Sequence, residues 1–244
     1  MPLCSSVISQ SDGASTVVPQ TYCLAGATAS GKTAVAQLLA ERLGAAILSA
    51  DAMLVYQGMD IGTAKPTVAE RAQVPYYGLD VVTPGEPFSA AAWLEEAHRA
   101  QAVSPRLIAV GGTGLYFSAL LRGLDPTPPA NPALRASLEA LPAEELRARL
   151  AAHGQTVADT ENPRRLVRAL EILEQGGTLP AGWGERARPR LVALTWPREV
   201  LHRRIAERVD AMYAAGLLGE AEALRRRWPA WSRTAAQAIG YAEA

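Results

Sequence analysis

Apolar residues gather into four short runs, Thr21 to Ala25, Ala45 to Leu48, Leu107 to Val110 and Leu191 to Leu194, each the length of a buried strand. Between the first two, Val35, Leu38, Leu39 and Leu43 recur at helical spacing, and Gly44 follows as a stop. That spacing predicts a helix with these four residues as its apolar side. A second helix is predicted after Ser89, with Trp93, Leu94 and Ala97 on one face. A third should start at Pro197, with Leu201, Ile205, Val209 and Met212 as its stripe. Strands alternating with helices predict a parallel sheet with helices on both faces. Ligands of such sheets bind outside the carboxyl ends of the strands.

The alternation breaks at Asp125-Pro126-Thr127-Pro128-Pro129. From Pro132 to Glu174 helix formers dominate, with Leu138, Leu141, Leu146, Leu150, Leu166, Leu170 and Leu173 as apolar positions. The expected organisation is an α/β core over 21–130 and 186–244. It is interrupted by a small helical insertion, 131–185, closing around the Gly-rich stretch Gly176 to Gly184. Residues 1–20 are polar and Ser-rich and predict a disordered tail.

Composition narrows the class. The 244 residues are 49% hydrophobic and 20% charged, ordinary for a chain with a packed core. No apolar run approaches the ~20 residues that span a bilayer, and the first twenty residues hold no Lys or Arg, so no secretory leader is expected. Two cysteines, Cys4 in the tail and Cys23 in the first strand, make no disulfide framework, and a reducing cytoplasm is expected. Residues 1–130 carry seven Lys/Arg against ten Asp/Glu, and 131–244 carry seventeen against fourteen. This mild basic bias does not by itself establish a nucleic-acid partner.

Only two of the 24 basic residues are lysines. One, Lys32, lies in Gly26-Ala27-Thr28-Ala29-Ser30-Gly31-Lys32-Thr33, the G-x-x-x-x-G-K-[ST] spacing of a P-loop, between the first strand and the first helix. The glycines let backbone N–H groups turn onto an anion, the helix N-terminus faces the same charge, and Thr33 can offer its hydroxyl to Mg²⁺. Where arginine serves elsewhere, a phosphate loop uses a compact ammonium on a flexible stem.

Further candidates follow from position. Asp51 ends the second strand, where a carboxylate serves as general base, Mg²⁺ ligand or hydroxyl acceptor, or as an exposed helix cap. Thr113 ends the third strand in Gly111-Gly112-Thr113-Gly114, without the acidic residue of an ordinary ATPase. The second lysine, Lys65, sits in Gly62-Thr63-Ala64-Lys65-Pro66, either a loop of special geometry or a surface turn. Arg204 and Arg208 share a helix face and can pair an anion or merely Glu207 and Asp210. Arg164, Arg165 and Arg168 form a cluster on the insertion, a phosphate contact or a solvated face. His98, His153 and His202 have no metal spacing.

In order, GATASGKT, SADAMLVYQGMDIGTAKP, LIAVGGTGLYFSALLRGL, NPRRLVRALEIL and WPREVLHRRIAERVDAMYAAGL make the chain, from Thr21 onward, resemble the bacterial tRNA dimethylallyltransferases. The resemblance implies a P-loop NTPase-like fold and transfer of a dimethylallyl group from dimethylallyl diphosphate to N6 of an adenosine beside the tRNA anticodon. It implies that Gly26 to Thr33 hold diphosphate, with Mg²⁺ on Thr33. It makes Asp51 the base, Thr113 a contact to the adenine edge and Arg208 a diphosphate clamp. By the same resemblance Asp51, Ala52, Met53, Leu54, Thr113, Arg135, Arg164, Arg165, Leu166, Val167 and Arg168 contact tRNA. A cytoplasmic monomer with no membrane partner is expected. The chain departs from the family at Tyr76-Tyr77, where a His-His pair is usual, and by stopping at Ala244 it is expected to be C-terminally shortened. Competing readings are a P-loop small-molecule kinase and a non-catalytic tRNA-binding protein.

Overall fold

The computed structural model describes residues 20–181 and 191–243. The expected tail therefore lies outside the described residues, except Gln20, which opens the first strand instead. Gly184 and the expected boundary at 185/186 also lie outside them. The chain divides into two compact units, Met1–Leu121 with Pro189–Ala244, and Arg122–Arg188.

The first unit is built on a five-stranded sheet of β1 (Gln20–Gly26), β2 (Ala46–Ala50), β3 (Tyr76–Tyr77), β4 (Arg106–Gly111) and β5 (Leu191–Leu194). The order is β3-β2-β4-β1-β5 and every pairing is parallel, as the alternation predicts. Side chains of successive strand residues go to opposite faces. Cys23, Leu48, Leu107 and Ala109 pack one way, against Trp93, Ala97 and Ala100 of α3 (Ala90–Val103) and Tyr116 and Phe117 of α4 (Gly114–Arg122). Leu24, Ile47, Ile108 and Val110 pack the other way, against Ala36 and Ala40 of α1 (Lys32–Leu43), whereas the short α2 (Val68–Gln73) before β3 buries no residue. Ser89 caps α3 as expected, accepting the Ala92 N–H at 3.2 Å. Trp93 stacks on Tyr116 at 4.5 Å and donates its indole N–H to the Ser49 carbonyl at 2.7 Å, locking the end of β2 to the helix layer.

One expected stripe is corrected and another holds in part. In α1 the buried positions are Ala36, Gln37 and Ala40, whereas Val35, Leu38, Leu39 and Leu43 are all exposed. The small side chains let the helix sit close on the sheet, and Gln37 is held there by Tyr76, whose hydroxyl donates to it at 2.5 Å. On α8 (Arg198–Ala214) the expected stripe holds for Leu201, Ile205 and Met212, which are half-buried, but not for Val209, which is 41% exposed; Met212 packs on another cluster. No local spacing announces that cluster. It joins Val55, Tyr56 and Met59, in the loop after β2, to Leu217, Ala221 and Leu224 of α9 (Leu217–Arg227) and to Tyr241 near the C-terminus.

The second unit contains α5 (Pro132–Glu139), α6 (Ala143–Ala152) and α7 (Pro163–Glu174) around Leu138, Leu146, Leu150, Leu166 and Leu170. Asn131 and Asn162 cap α5 and α7, each followed by proline at the first helical position. The unit starts upstream of 131 because the proline segment is tied down: Arg168 donates to Thr127 Oγ1 at 3.0 Å and to the Pro128 carbonyl at 2.9 Å. Among the described residues no helix is long and apolar enough to cross a membrane.

Candidate active site

The P-loop forms where β1 ends and α1 begins. Ala29 and Gly31 take left-handed backbone angles, φ 62° and 87°. Glycine adopts this conformation freely, whereas alanine pays roughly 1–2 kcal/mol, strain of the kind kept at functional turns. No side chain caps α1 and its first turn holds no acidic residue. Its leading N–H groups and the positive end of its dipole are thus left to an outside anion.

Two side chains from beyond β5 hold this loop open. Trp196, which is not among the sequence candidates, donates its indole N–H to the Ser30 carbonyl at 2.9 Å. Arg204 donates Nε to the Ala29 carbonyl at 2.7 Å, a loop contact rather than a pairing with Glu207. Its guanidinium also lies 5.4 Å from the Trp196 ring centre. A peptide's N–H points opposite to its own carbonyl, so pulling the Ser30 carbonyl toward Trp196 turns the Gly31 N–H the other way. The available signal for Trp196 is the sequence Thr195-Trp196-Pro197 at the carboxyl end of β5, where an aromatic donor is free to reach a neighbouring strand's loop.

Lys32, Thr33, Asp51, Thr63 and Arg208 line one cleft at the carboxyl ends of the strands. Lys32, Thr33, Arg204 and Arg208 also line an adjoining hollow of about 560 Å³. Asp51 follows β2 directly; one carboxylate oxygen accepts the Met53 N–H at 2.9 Å, which fixes the side chain and leaves the other oxygen for the cleft. Thr113 Oγ1 accepts the Ala52 N–H at 3.2 Å, and the Thr113 N–H bonds the Ala50 carbonyl at 3.1 Å. Thr113 therefore braces the turn carrying Asp51 and keeps a hydroxyl proton to donate. Leu54 joins the cleft wall, whereas Met53 packs on the α9 cluster.

The electrostatics call for an anion. Burial lowers the Lys32 ammonium below the ordinary lysine range; Asp51 opposes that shift and Arg208 adds to it. Burial likewise lowers Arg208, again opposed by Asp51. Two desolvated cations thus share one carboxylate, and a diphosphate would relieve both. Lys32 contacts its own loop only weakly, through the Ala27 carbonyl at 3.4 Å. Arg208 donates to the Thr63 carbonyl at 3.1 Å.

The surface-turn alternative for Lys65 is corrected. Its side chain is fully buried, and Nζ bonds the Tyr56 carbonyl at 2.7 Å, Asp80 at 2.6 Å and Asp60 at 2.7 Å. Arg71 reaches the other Asp80 oxygen at 2.7 Å. Lys65 thus stands where several acceptors converge on one point, a site built for a single nitrogen.

On the second unit, Arg164 and Arg165 are exposed on α7. Arg135 and Arg168 instead converge at 2.5 and 2.6 Å on Glu171, which is completely buried. Leu166 and Val167 are core residues, 0% and 4% exposed. Their side chains pack into the unit, because an α-helix that presents Arg164 and Arg165 outward turns the next two positions inward.

Among the described residues no group of three or more His, Cys, Asp or Glu could hold a metal ion. The Thr33 hydroxyl nevertheless lines the cleft as a hard oxygen donor. Such a donor suits Mg²⁺ arriving with phosphate oxygens and its own waters.

The family model "IPP transferase" matches residues 54–244, and "Isopentenyl transferase" matches 19–75. The chain is 46% identical over 238 residues to the tRNA dimethylallyltransferase of Anaeromyxobacter dehalogenans (strain 2CP-C), covering 91% of this chain and 79% of that protein. It is 46% identical over 234 residues to the one from Thermus thermophilus, covering 90% and 77%. The crystal structure of the full-length tRNA isopentenylpyrophosphate transferase from Bacillus halodurans superposes with a TM-score of 0.59 at 35% identity, over 92% of this chain and 75% of that one. A eukaryotic dimethylallyltransferase acting on tRNA reaches 0.69 over 91% of this chain at 20% identity, a likeness of fold.

Proposed function

The chain belongs to the IPP transferase family, the tRNA dimethylallyltransferases, and we propose that its P-loop cleft takes the diphosphate of dimethylallyl diphosphate while Asp51 takes the proton from the adenine amine. The observation that carries this reading is the cleft itself, which Lys32, Thr33, Asp51 and Arg208 line together.

The chemistry divides among them. The C–O bond to diphosphate breaks as the N6 lone pair attacks the allylic carbon, so negative charge grows on the leaving oxygen. Lys32, the α1 N-terminus and Arg208 surround that charge with fixed positive groups, which stabilise it most as it develops. Thr33 would hold Mg²⁺ beside the diphosphate oxygens; when bound, the ion supplies further neutralisation of the leaving group. The amine is a weak nucleophile because its lone pair is delocalised into the ring. Asp51 accepts the N6 proton, a role supported by its brace from Met53 and by Thr113's hold on the adjacent Ala52. Thr113 donates its hydroxyl to the adenine edge. An adenine stacked in the anticodon loop cannot reach the cleft, so it is extruded first. Arg164 and Arg165 contribute phosphate contacts. The protein acts in the cytoplasm, on the anticodon arm of tRNA, and as a monomer.

Ligand protection tests the reading. Dimethylallyl diphosphate should raise the melting temperature more than ATP at equal concentration. Protection by ATP and not by dimethylallyl diphosphate would replace this reading with that of a kinase.

A further inference from the structure

Asp60, Ile61 and Gly62 turn consecutive amides onto one carboxylate. Glu220 of α9 accepts from Asp60 N at 3.2 Å, from Ile61 N at 2.9 Å and from Gly62 N at 3.4 Å. Successive N–H groups converging in this way form an anion nest. Tyr241 completes it: its hydroxyl donates to Glu220 and accepts the Gly62 N–H at 3.0 Å. The approach is so close that a Cβ on Gly62 would lie 2.5 Å from the Tyr241 ring. Tyr241 is wholly buried in the α9 cluster, and burial raises its hydroxyl well above the ordinary tyrosine range.

The anchored segment leads straight to the cleft. Thr63, Ala64 and Pro66 line the same cleft as Lys32, and the Thr63 carbonyl receives Arg208. Downstream the same segment is held by Lys65. Glu220 and Tyr241 thus fix its upstream end, one residue before the carbonyl that aims Arg208. Neither touches the cleft, so they act through Thr63.

We propose that Glu220 and Tyr241 are positioning residues for diphosphate capture, setting Thr63, and through it Arg208, against the P-loop. The inference rests on the diphosphate reading of the cleft. It predicts a dependence of small-substrate binding on two residues from the C-terminal quarter of the chain, which a purely structural role would not produce.

Tyr241→Phe and Glu220→Gln in the full chain test it. The phenylalanine keeps the buried ring and removes only the hydroxyl; the glutamine puts an N–H donor where the nest offers donors. Inorganic pyrophosphate affinity by calorimetry should fall roughly tenfold in each, the worth of one charge-assisted hydrogen bond. KM for dimethylallyl diphosphate should rise by a similar factor with KM for tRNA unchanged, and amide exchange at Ile61 and Gly62 should quicken. If Glu220→Gln does not fold, Tyr241→Phe decides. Parent-like pyrophosphate affinity in a folded variant with faster exchange at Gly62 overturns the proposal, as does a loss of turnover with both KM values unchanged. A parent chain that binds no pyrophosphate would count against the diphosphate reading, and exchange at Ile61 and Gly62 alone would then decide whether the anchor exists.

Discussion

The Lys65 ammonium lies 2.6 Å from a carboxylate oxygen of Asp80, and neither residue is near the other in sequence. With Asp60 and the Tyr56 carbonyl as further acceptors, this lysine closes the loop that forms one wall of the cleft. Removing a buried partner typically costs about 3–5 kcal/mol. Here Asp60 and Asp80 remain partly exposed and can rehydrate, so Lys65→Met should cost about 2–3 kcal/mol. Lys65→Arg should cost about as much, because a planar fork cannot occupy a site built for one nitrogen. Urea unfolding checks this; an arginine variant as stable as the parent would contradict it.

Lys32 is legible from spacing alone, because a P-loop needs its residues contiguous. Lys65 is not, because its partners are gathered by the fold from Tyr56, Asp60 and Asp80. The same distinction runs through the rest of the chain. Four of the five strands show as apolar runs; β3 is two residues of tyrosine and has no pattern to show. The inner face of α1 does not follow its large apolar residues, because small alanines meet the sheet, whereas α8 half-buries Leu201, Ile205 and Met212 of its apolar stripe. Trp196, Arg204, Glu220 and Tyr241 act on backbone groups far away in sequence, which no local spacing reveals.

Lys32→Arg should abolish most pyrophosphate binding while leaving tRNA binding intact. The charge is retained, but a compact ammonium is replaced by a fork. Because burial lowers the Lys32 ammonium, the parent's pyrophosphate affinity should begin to decline with rising pH before an ordinary lysine would titrate. Calorimetry across pH measures both. An arginine variant binding as the parent does would remove the reason for a lysine in the loop.

Arg164 and Arg165 are exposed, whereas Arg135 and Arg168 are committed to Glu171. Replacing the first pair with alanine should weaken binding across tRNAs and flatten the salt dependence by about one to two units of log–log slope, with no change in melting temperature. Unchanged slope would move the phosphate contacts elsewhere.

Acid should loosen the protein through Asp80 and Glu171. Burial pushes each carboxyl up, but the hydrogen bonds from Lys65 and Arg71, and from Arg168 and Arg135, outweigh it and leave both below the usual range. A depressed carboxylate contributes stability that is whole above its ordinary titration near pH 4 and is lost as pH falls through the lowered folded value. The urea midpoint should therefore drop below pH 4, and Glu171→Gln should reduce that drop. A midpoint independent of pH from 5 to 2, on the order of that titration range, would contradict the assignment.

The most direct test of the account is mass spectrometry of nucleosides from tRNA incubated with dimethylallyl diphosphate and either the parent chain or Asp51→Asn. The parent should convert one adenosine of the anticodon arm to its N6-dimethylallyl form. The variant should bind pyrophosphate normally yet turn over roughly 10²–10⁴ times more slowly, the usual worth of a positioned base. Equal modification by parent and variant would contradict the role given to Asp51 at the centre of the cleft.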